Sequence, residues 1–389
     1  MDNIFSKSDE YLIKTYKRFE VYFEKGEGVF LFTPEGDRFL DLLAGIAVNS
    51  LGHSHPVVVD SIKRQAEKLI HVSNLYHIKQ QTELAEILIN QSCCDKAFFV
   101  NSGAEANEAA LKLARIYGNP KRNRILSFKD SFHGRTLGSL ALTGQTKYHK
   151  GFEPMPEGFD YVEFNNFDDF LKKVDNSVVA IFVEFVQGEG GINPIDKQFV
   201  RKVYDYCKKH DILFIADEVQ TGIGRTGKLF AYQHYDVEPD IITLAKGLGG
   251  GFPIGCMIAK DFVAEKFTYG THGCTFGGNP LACAVSRSVV EYIIENNLSS
   301  YAGKMGDYLL EELNKIFSNN EDVEKIKGFG LMIGIEFKDP KKADEFVKKA
   351  FESRILVGKA GDSTVRIEPP LIIKKEELDL FLQFCKEYQ

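Results

Sequence analysis

The sequence predicts a doubly wound α/β protein with a smaller α+β unit attached. Three observations predict it. Five short apolar runs between residues 97 and 245 are continuous rather than alternating, the mark of strands buried on both faces of a parallel sheet. Amphipathic helix patterns lie between them, as crossovers between parallel strands require. After about residue 280 the alternation stops, and long amphipathic helices flank only two strand candidates. The expected division is a large domain over residues 50–280 and a small domain built from residues 1–49 and 281–389. A chain of 389 residues accommodates two such units.

Residues 29–42 read as a β-hairpin: VFLF, a turn at Pro34–Asp37, then RFLDL. A hairpin has no place inside a parallel sheet, so this segment is expected to pack with the small domain. The five runs follow: AFFV (Ala97–Val100), ILSF (Ile125–Phe128), VVAIFV (Val178–Val183), ILFIA (Ile212–Ala216) and IITLA (Ile241–Ala245). One helix pattern, Ala104–Tyr117, aligns Ala106, Ala109, Ala110, Leu113 and Ala114 on a stripe. Another, Gln198–His210, aligns Phe199, Val203, Tyr206 and Cys207. The carboxyl-terminal helices are Leu281–Asn296, Tyr301–Phe317 and Lys341–Ser353. Its strand candidates are Leu331–Phe337 and Val365–Ile367.

Composition narrows the function. Hydrophobic residues make up 44% and charged residues 26%, a globular balance that excludes a disordered or fibrous chain. With 48 Lys and Arg against 55 Asp and Glu, the net charge of −7 argues against nucleic-acid or anionic-membrane binding. The seven cysteines form no C-x-x-C pair, and reduced cysteines in a cytosolic protein explain them better than a disulfide framework. The amino terminus has no signal-peptide apolar core, and no apolar run reaches the roughly 18 residues of a membrane helix. The expectation is a cytoplasmic protein.

In an open α/β sheet, ligands bind beyond the carboxyl ends of the strands. Polar or Gly-rich clusters stand at five of those ends: Asn101–Glu105, Lys129–Arg135, Glu184 with Gln187–Gly191, Asp217-Glu218-Val219-Gln220, and Lys246–Gly251. Ser102-Gly103-Ala104 fits a phosphate cradle at a helix start, or equally a plain strand-to-helix turn capped by Ser102. Lys246 reads as a desolvated nucleophile or as a lysine snorkelling from a strand end. Asp217 reads as a counter-ion for a protonated ring nitrogen, a helix cap or a core ion pair. Lysine, aspartate and cradle together supply what pyridoxal phosphate needs. Gly222–Gly227 matches G-x-G-x-x-G, but a dinucleotide fingerprint follows its strand directly and opens a helix; here DEVQT intervenes. His53 and His55 lack companion metal ligands at a usual spacing, which favours an ordered loop over a metal site. His133 falls in a strand-end cluster near the expected cofactor.

Long blocks in this order resemble the class-III aminotransferases: NSGAEANEAALKLAR, SFHGRTLG, VQGEGG, DEVQTGIGRTG, AKGLGGGFPIG and THGCTFGGNPLA. The resemblance runs from about Tyr16 to Ile373. It is strongest to members acting on N2-acetyl-L-ornithine and 2-oxoglutarate in arginine biosynthesis. It implies the pyridoxal-phosphate transferase fold of the aspartate aminotransferase type, and a homodimer with its active site at the subunit interface. Lys246 becomes the Schiff-base lysine and the proton carrier. Asp217 pairs with the pyridine nitrogen, and Gln220 reaches the ring hydroxyl. Ser102, Gly103 and Ala104 hold the phosphate. Phe132 stacks on the ring, with Glu218 and Val219 beside it, and Thr275 donates to the phosphate of the other subunit. Arg135 holds the donor's α-carboxylate and Arg366 that of 2-oxoglutarate, with Glu189 neutralising Arg366 while the donor is bound. Tyr16 lines the donor pocket. Cys274 stands where the family has a hydroxyl, and a thiol is a weaker donor. Transaminases acting on ornithine, succinylornithine, 4-aminobutyrate or an aminoadipate-type donor remain open alternatives, with an NAD-dependent dehydrogenase as the alternative from another class.

Overall fold

The computed structural model describes residues 4–388. Near the amino terminus β1 (Lys25–Glu27), β2 (Phe30–Phe32) and β3 (Arg38–Asp41) form an antiparallel meander. The β2–β3 turn closes where the sequence places it, with Thr33 N donating to Asp37 O at 3.0 Å and Gly36 N to Thr33 O at 3.0 Å.

The large sheet comes next. Its strands are β4 (Lys96–Val100), β5 (Arg124–Phe128), β6 (Phe159–Val162) and β7 (Val178–Val183), then, after a two-rung ladder of β8 (Val186–Gln187) and β9 (Asn193–Pro194), β10 (Leu213–Asp217), β11 (Ile241–Leu244) and β12 (Gly255–Ala259). The order across the sheet is β4-β12-β11-β10-β7-β5-β6. β12 runs antiparallel to both neighbours and the other pairings are parallel. Six strands therefore point their carboxyl ends at one edge, and β12 begins there, with Gly255 opposite Val100. All five sequence-predicted runs are strands. β6 and β12 were not anticipated. FDYV is too polar to stand out as a buried run. GCMIA directly follows the glycine-rich loop and lacks a turn signal to separate it.

Helices cover the sheet. Gly103–Gly118 lays its stripe Ala106, Ala109, Ala110, Leu113 and Ala114 fully buried against the strands. Small side chains let the helix approach closely. Lys197–Lys209 begins with Asp196 accepting from Phe199 N at 2.7 Å, a helix cap. Phe199, Val203 and Cys207 are buried as expected, whereas Tyr206 is only half-buried, edge-on to Phe170. The Gly222–Gly227 segment is a chain of turns that opens no helix, which removes the dinucleotide reading.

The carboxyl-terminal part is an antiparallel sheet, ordered β13-β14-β17-β16: β13 (Val323–Phe329), β14 (Met332–Phe337), β15 (Ile355–Leu356), β16 (Gly358–Ala360) and β17 (Thr364–Ile367). β15 leaves that sheet and pairs in parallel with β3. The amino-terminal hairpin thus closes against residues more than three hundred positions later. The helices Pro280–Glu295, Leu298–Ile316 and Pro340–Glu352 lie within a few residues of their expected ranges. Phe346, fully buried, gathers Phe337, Phe381, Phe384 and Tyr388 around it. Among the described residues no helix is long and apolar enough to cross a membrane.

Candidate active site

The shared strand edge encloses a cavity of about 420 Å³. Most of its lining comes from loops that leave the strand ends. β4 leads into Asn101, Ser102, Gly103 and Ala104; β5 leads to Phe132–Arg135; β7 leads to Glu184, Val186 and Glu189; β10 ends at Asp217, with Val219 and Gln220 beyond; β11 leads to Lys246. The start of β12 contributes Gly251–Ile254. Topology alone brings these separated segments together, as expected for an open α/β sheet.

The cradle forms where the helix Gly103–Gly118 begins. Ser102 Oγ accepts from Glu105 N at 3.2 Å and Glu105 Oε2 accepts from Asn101 N at 2.6 Å. The hydroxyl is thus the helix cap, while the backbone of Ser102, Gly103 and Ala104 faces the cavity with the positive end of the helix. A side chain at Gly103 would meet Val219 Cγ1 at 2.7 Å, so glycine lets the cradle and the β10 loop share this wall.

Asp217 is 5% exposed and anchored through both carboxylate oxygens. Its Oδ2 accepts from Asn107 Nδ2 at 2.8 Å and lies 2.7 Å from His133 Nδ1, and its Oδ1 accepts from Val219 N at 3.0 Å. Asn107 is itself fixed by donating to His133 O at 2.7 Å and accepting from Thr243 Oγ1 at 2.7 Å. Burial works against a charge on His133, but the hydrogen bond and charge of Asp217, with Glu184, outweigh it and raise its pKa. Glu184, which accepts from Phe132 N at 3.0 Å, is pushed up to about 8, chiefly by burial. Asn107 and Glu184 carried no assigned role in the sequence. Asn107 sits on the helix face read as core, and its polarity there was the available signal.

Lys246 stands at φ 44°, a left-handed backbone that costs a non-glycine residue energy. Burial lowers its pKa, against the pull of Glu368 and Glu189, so its amine form is more accessible than that of a surface lysine. Glu189 pairs with Nη1 of Arg366, which is 3% exposed. Burial would raise the Glu189 pKa, but Arg366, Lys246 and Arg135 outweigh it and hold it below the ordinary value. Arg135 is exposed at the cavity, its guanidinium 4.0 Å from the Tyr148 ring centroid and 5.3 Å from that of Phe132. Among the described residues no carboxylate pairs with it. Gln220 lines the cavity, and its Nε2 is buried without a partner among the described residues. Gln220 Oε1 would lie only 1.4 Å from a side chain placed on Gly188.

The cavity thus gathers Ser102, Gly103, Ala104, Phe132, Arg135, Glu189, Asp217, Val219, Gln220 and Lys246. Arg366 joins behind Glu189. Four sequence candidates lie elsewhere. Glu218 turns away, its carboxylate taken by Ala231 N at 2.9 Å, Tyr232 N at 2.8 Å and Thr221 Oγ1 at 2.8 Å. β10 ends at Asp217, and in the turn that follows these three donors hold Glu218 on the side away from the cavity. Cys274 sits behind the cavity wall, its Sγ accepting from Asn101 Nδ2 at 3.1 Å. Thr275 is exposed on the surface, and Tyr16 is 75% exposed. His53 and His55 serve structure: His53 Nε2 lies 2.7 Å from Asp41 Oδ2, and His55 caps the helix Pro56–Ala66.

Comparison with known proteins converges on one family. The chain is 50% identical to the acetylornithine aminotransferase of Caldanaerobacter subterraneus over 97% of both chains. It is 43% identical to that of Methanocaldococcus jannaschii over 99% of this chain and 98% of the relative. The solved ornithine aminotransferase of Toxoplasma gondii superposes with a TM-score of 0.95 at 30% identity, covering 99% of this chain and 93% of that one. The acetylornithine aminotransferase of Elizabethkingia anophelis does so at 0.89 and 32%, covering 99% and 98%. The family model described as aminotransferase class-III matches residues 11–388, and the chain belongs to that family.

Proposed function

We propose that this chain transfers the δ-amino group of N2-acetyl-L-ornithine to 2-oxoglutarate, giving N-acetyl-L-glutamate 5-semialdehyde and L-glutamate, as a cytoplasmic enzyme of arginine biosynthesis. Pyridoxal phosphate is its cofactor. Full-length relatives named acetylornithine aminotransferase support the donor. The observation that carries the reading is the arginine pair at the cavity. Arg366 is covered by Glu189 and Arg135 is unpaired by carboxylate among the described residues. The carbon bearing the donor's δ-amino group carries no carboxylate, so a buried Arg366 facing it needs a partner of its own. Arg135 at the same time offers the donor's distant α-carboxylate a planar, bidentate site.

The residues present fit the cofactor. The helix start at Ser102–Ala104 suits a phosphate, the anchored Asp217 suits a ring N–H, and the unsatisfied Gln220 Nε2 suits a ring hydroxyl. Bound there, pyridoxal phosphate supplies an electron sink beside the carbon that loses its proton. Lys246 attaches the cofactor and, with its amine form made more accessible by burial, takes and returns that proton. Asn107 and His133 hold Asp217 against rotation, so its charge points one way. Phe132 and Val219 supply apolar walls to the cavity. Glu189 covers Arg366 during the donor stage and yields to the α-carboxylate of 2-oxoglutarate during the acceptor stage.

Assembly as a homodimer belongs to the same proposal. Exposed Leu69, Ile70, Leu75 and Tyr76 flank in sequence Asn74, whose Nδ2 donates to Gly277 O at 2.9 Å, and Phe276 is exposed beside Thr275. Exposed apolar residues near a polar one suit a second copy whose cavity receives Thr275. Cys274 then tunes the neighbouring pocket, and Tyr16 lies at its entrance. The deciding experiment is donor profiling of the purified holoenzyme. N2-acetylornithine should exceed ornithine, succinylornithine and 4-aminobutyrate in kcat/KM; a reversed order with any of these would overturn the donor assignment and leave the family intact.

A further inference from the structure

Arg366 has a second carboxylate neighbour that the reaction does not call for. Glu368, two residues on from Arg366 and just past β17, is 0% exposed. Its Oε2 lies 3.5 Å from Arg366 Nε, an ion pair too long to be a good hydrogen bond. Among the described residues neither of its carboxylate oxygens has a hydrogen-bond partner. Its backbone is anchored, with Glu368 N donating to Leu42 O at 2.7 Å. A buried carboxylate with both oxygens unsatisfied is expensive unless a nearby cation uses its charge. Arg366 is thus bracketed: Glu189 on the cavity side in tight contact, Glu368 on the inner side in loose contact.

The bracket has a consequence for how Glu189 leaves. Were Glu189 the sole partner of Arg366, its departure would strand a buried, unpaired guanidinium, a strongly disfavoured state. A standing carboxylate on the other side keeps the cation neutralised through the interval. We infer that Glu368 is the fixed counter-ion of Arg366 that allows Glu189 to open, and so sets the rate at which an α-carboxylate gains access to Arg366. It is a positioning residue, acting through Arg366. The charge of Glu368 also reaches Lys246 and Arg225, so the test must separate these routes. The inference rests on the proposal that Glu189 and Arg366 form the switch between donor and acceptor.

The two half-reactions are followed separately by the absorbance of the bound cofactor, in rapid mixing with N2-acetylornithine or with 2-oxoglutarate. Glu368→Gln should slow the acceptor half-reaction about tenfold, the scale of one lost buried charge contact, and leave the donor half-reaction within about twofold. Glutarate, an unreactive dicarboxylate, should associate and dissociate more slowly with the variant holoenzyme while its Kd stays nearly constant, because Arg366 strengthens its hold on Glu189 and on glutarate alike. In a Glu189→Gln background nothing has to open, and the Glu368→Gln effect on the acceptor should vanish. Equal slowing of both half-reactions would assign Glu368 to Lys246 and overturn the inference, as would an undiminished effect in the Glu189→Gln background. If Glu189→Gln alone changes neither half-reaction, the switch itself is wrong, an outcome distinct from a failure of Glu368. Glu368→Met, with its thermal midpoint measured beside Glu368→Gln, supplies the same comparison should the amide fail to fold.

Discussion

Lys246 combines a left-handed backbone, a buried amine and a place among four charges of both signs, Glu368, Glu189, Arg366 and Asp217. Lys246→Ala should lower turnover by more than about 10³-fold, and borohydride should no longer fix pyridoxal phosphate to the chain; turnover near wild type would remove Lys246 from the chemistry. Asp217→Asn keeps the shape but not the charge facing His133. It should lower activity about 100-fold and weaken cofactor retention, read by dialysis and absorbance. Glu184 gives the pH dependence. With a folded value of about 8 against an ordinary 4.5, the folded chain holds a proton that the unfolded chain releases between those values. Stability from this group is full below about 4.5 and is lost as pH rises through about 8. Glu184→Gln should remove that slope, so its thermal midpoint should gain on wild type between those limits; parallel curves would place Glu184 in an environment less buried than the structure has it.

Elements divide by whether their signal is local. The five runs were legible because strands buried on both faces are apolar throughout, and their ends were legible because polar residues terminate them abruptly. Asp217 and Lys246 stand out for that reason alone. Asn107 and Glu368 do not. Each sits inside or just past a regular element, and its significance comes from Asp217 or Arg366, far away in sequence. β12 was illegible for a related reason, since its reversed direction follows from where the glycine-rich loop delivers the chain. The helix Gly103–Gly118 carries its own prediction. Ser102→Ala removes the cap on Glu105 N and should cost about 1 kcal/mol, measured by denaturant midpoint. In the carboxyl-terminal part, Phe346→Ala empties the centre of an aromatic cluster and should cost about 3–5 kcal/mol. Its midpoint should fall while kcat of the protein that stays folded is retained.

The whole molecule presents a site whose outermost candidate, Thr275, faces outward. Under the proposed dimer, coexpression offers a direct check. Lys246→Ala and Thr275→Val chains should each be impaired alone, yet hybrids should regain one intact site, because one lesion lies on each side of the interface. Hybrids no more active than the better parent would place Thr275 outside the site. In the sequence the proposed dimer rests on resemblance alone, since an exposed threonine among apolar residues has no periodic signature.

The pairing of β3 with β15 reaches beyond the finished structure into its synthesis. The hairpin leaves the ribosome early, yet its edge partner Ile355–Leu356 is made more than three hundred residues later. At translation speeds of about 5–20 residues per second, that interval is roughly 15 to 60 seconds. Throughout it, Arg38–Asp41 offers an unpaired strand edge to any other nascent chain. Ile355–Leu356 therefore does more than add a rung beside β3: its arrival ends a period in which the hairpin is exposed to misassociation.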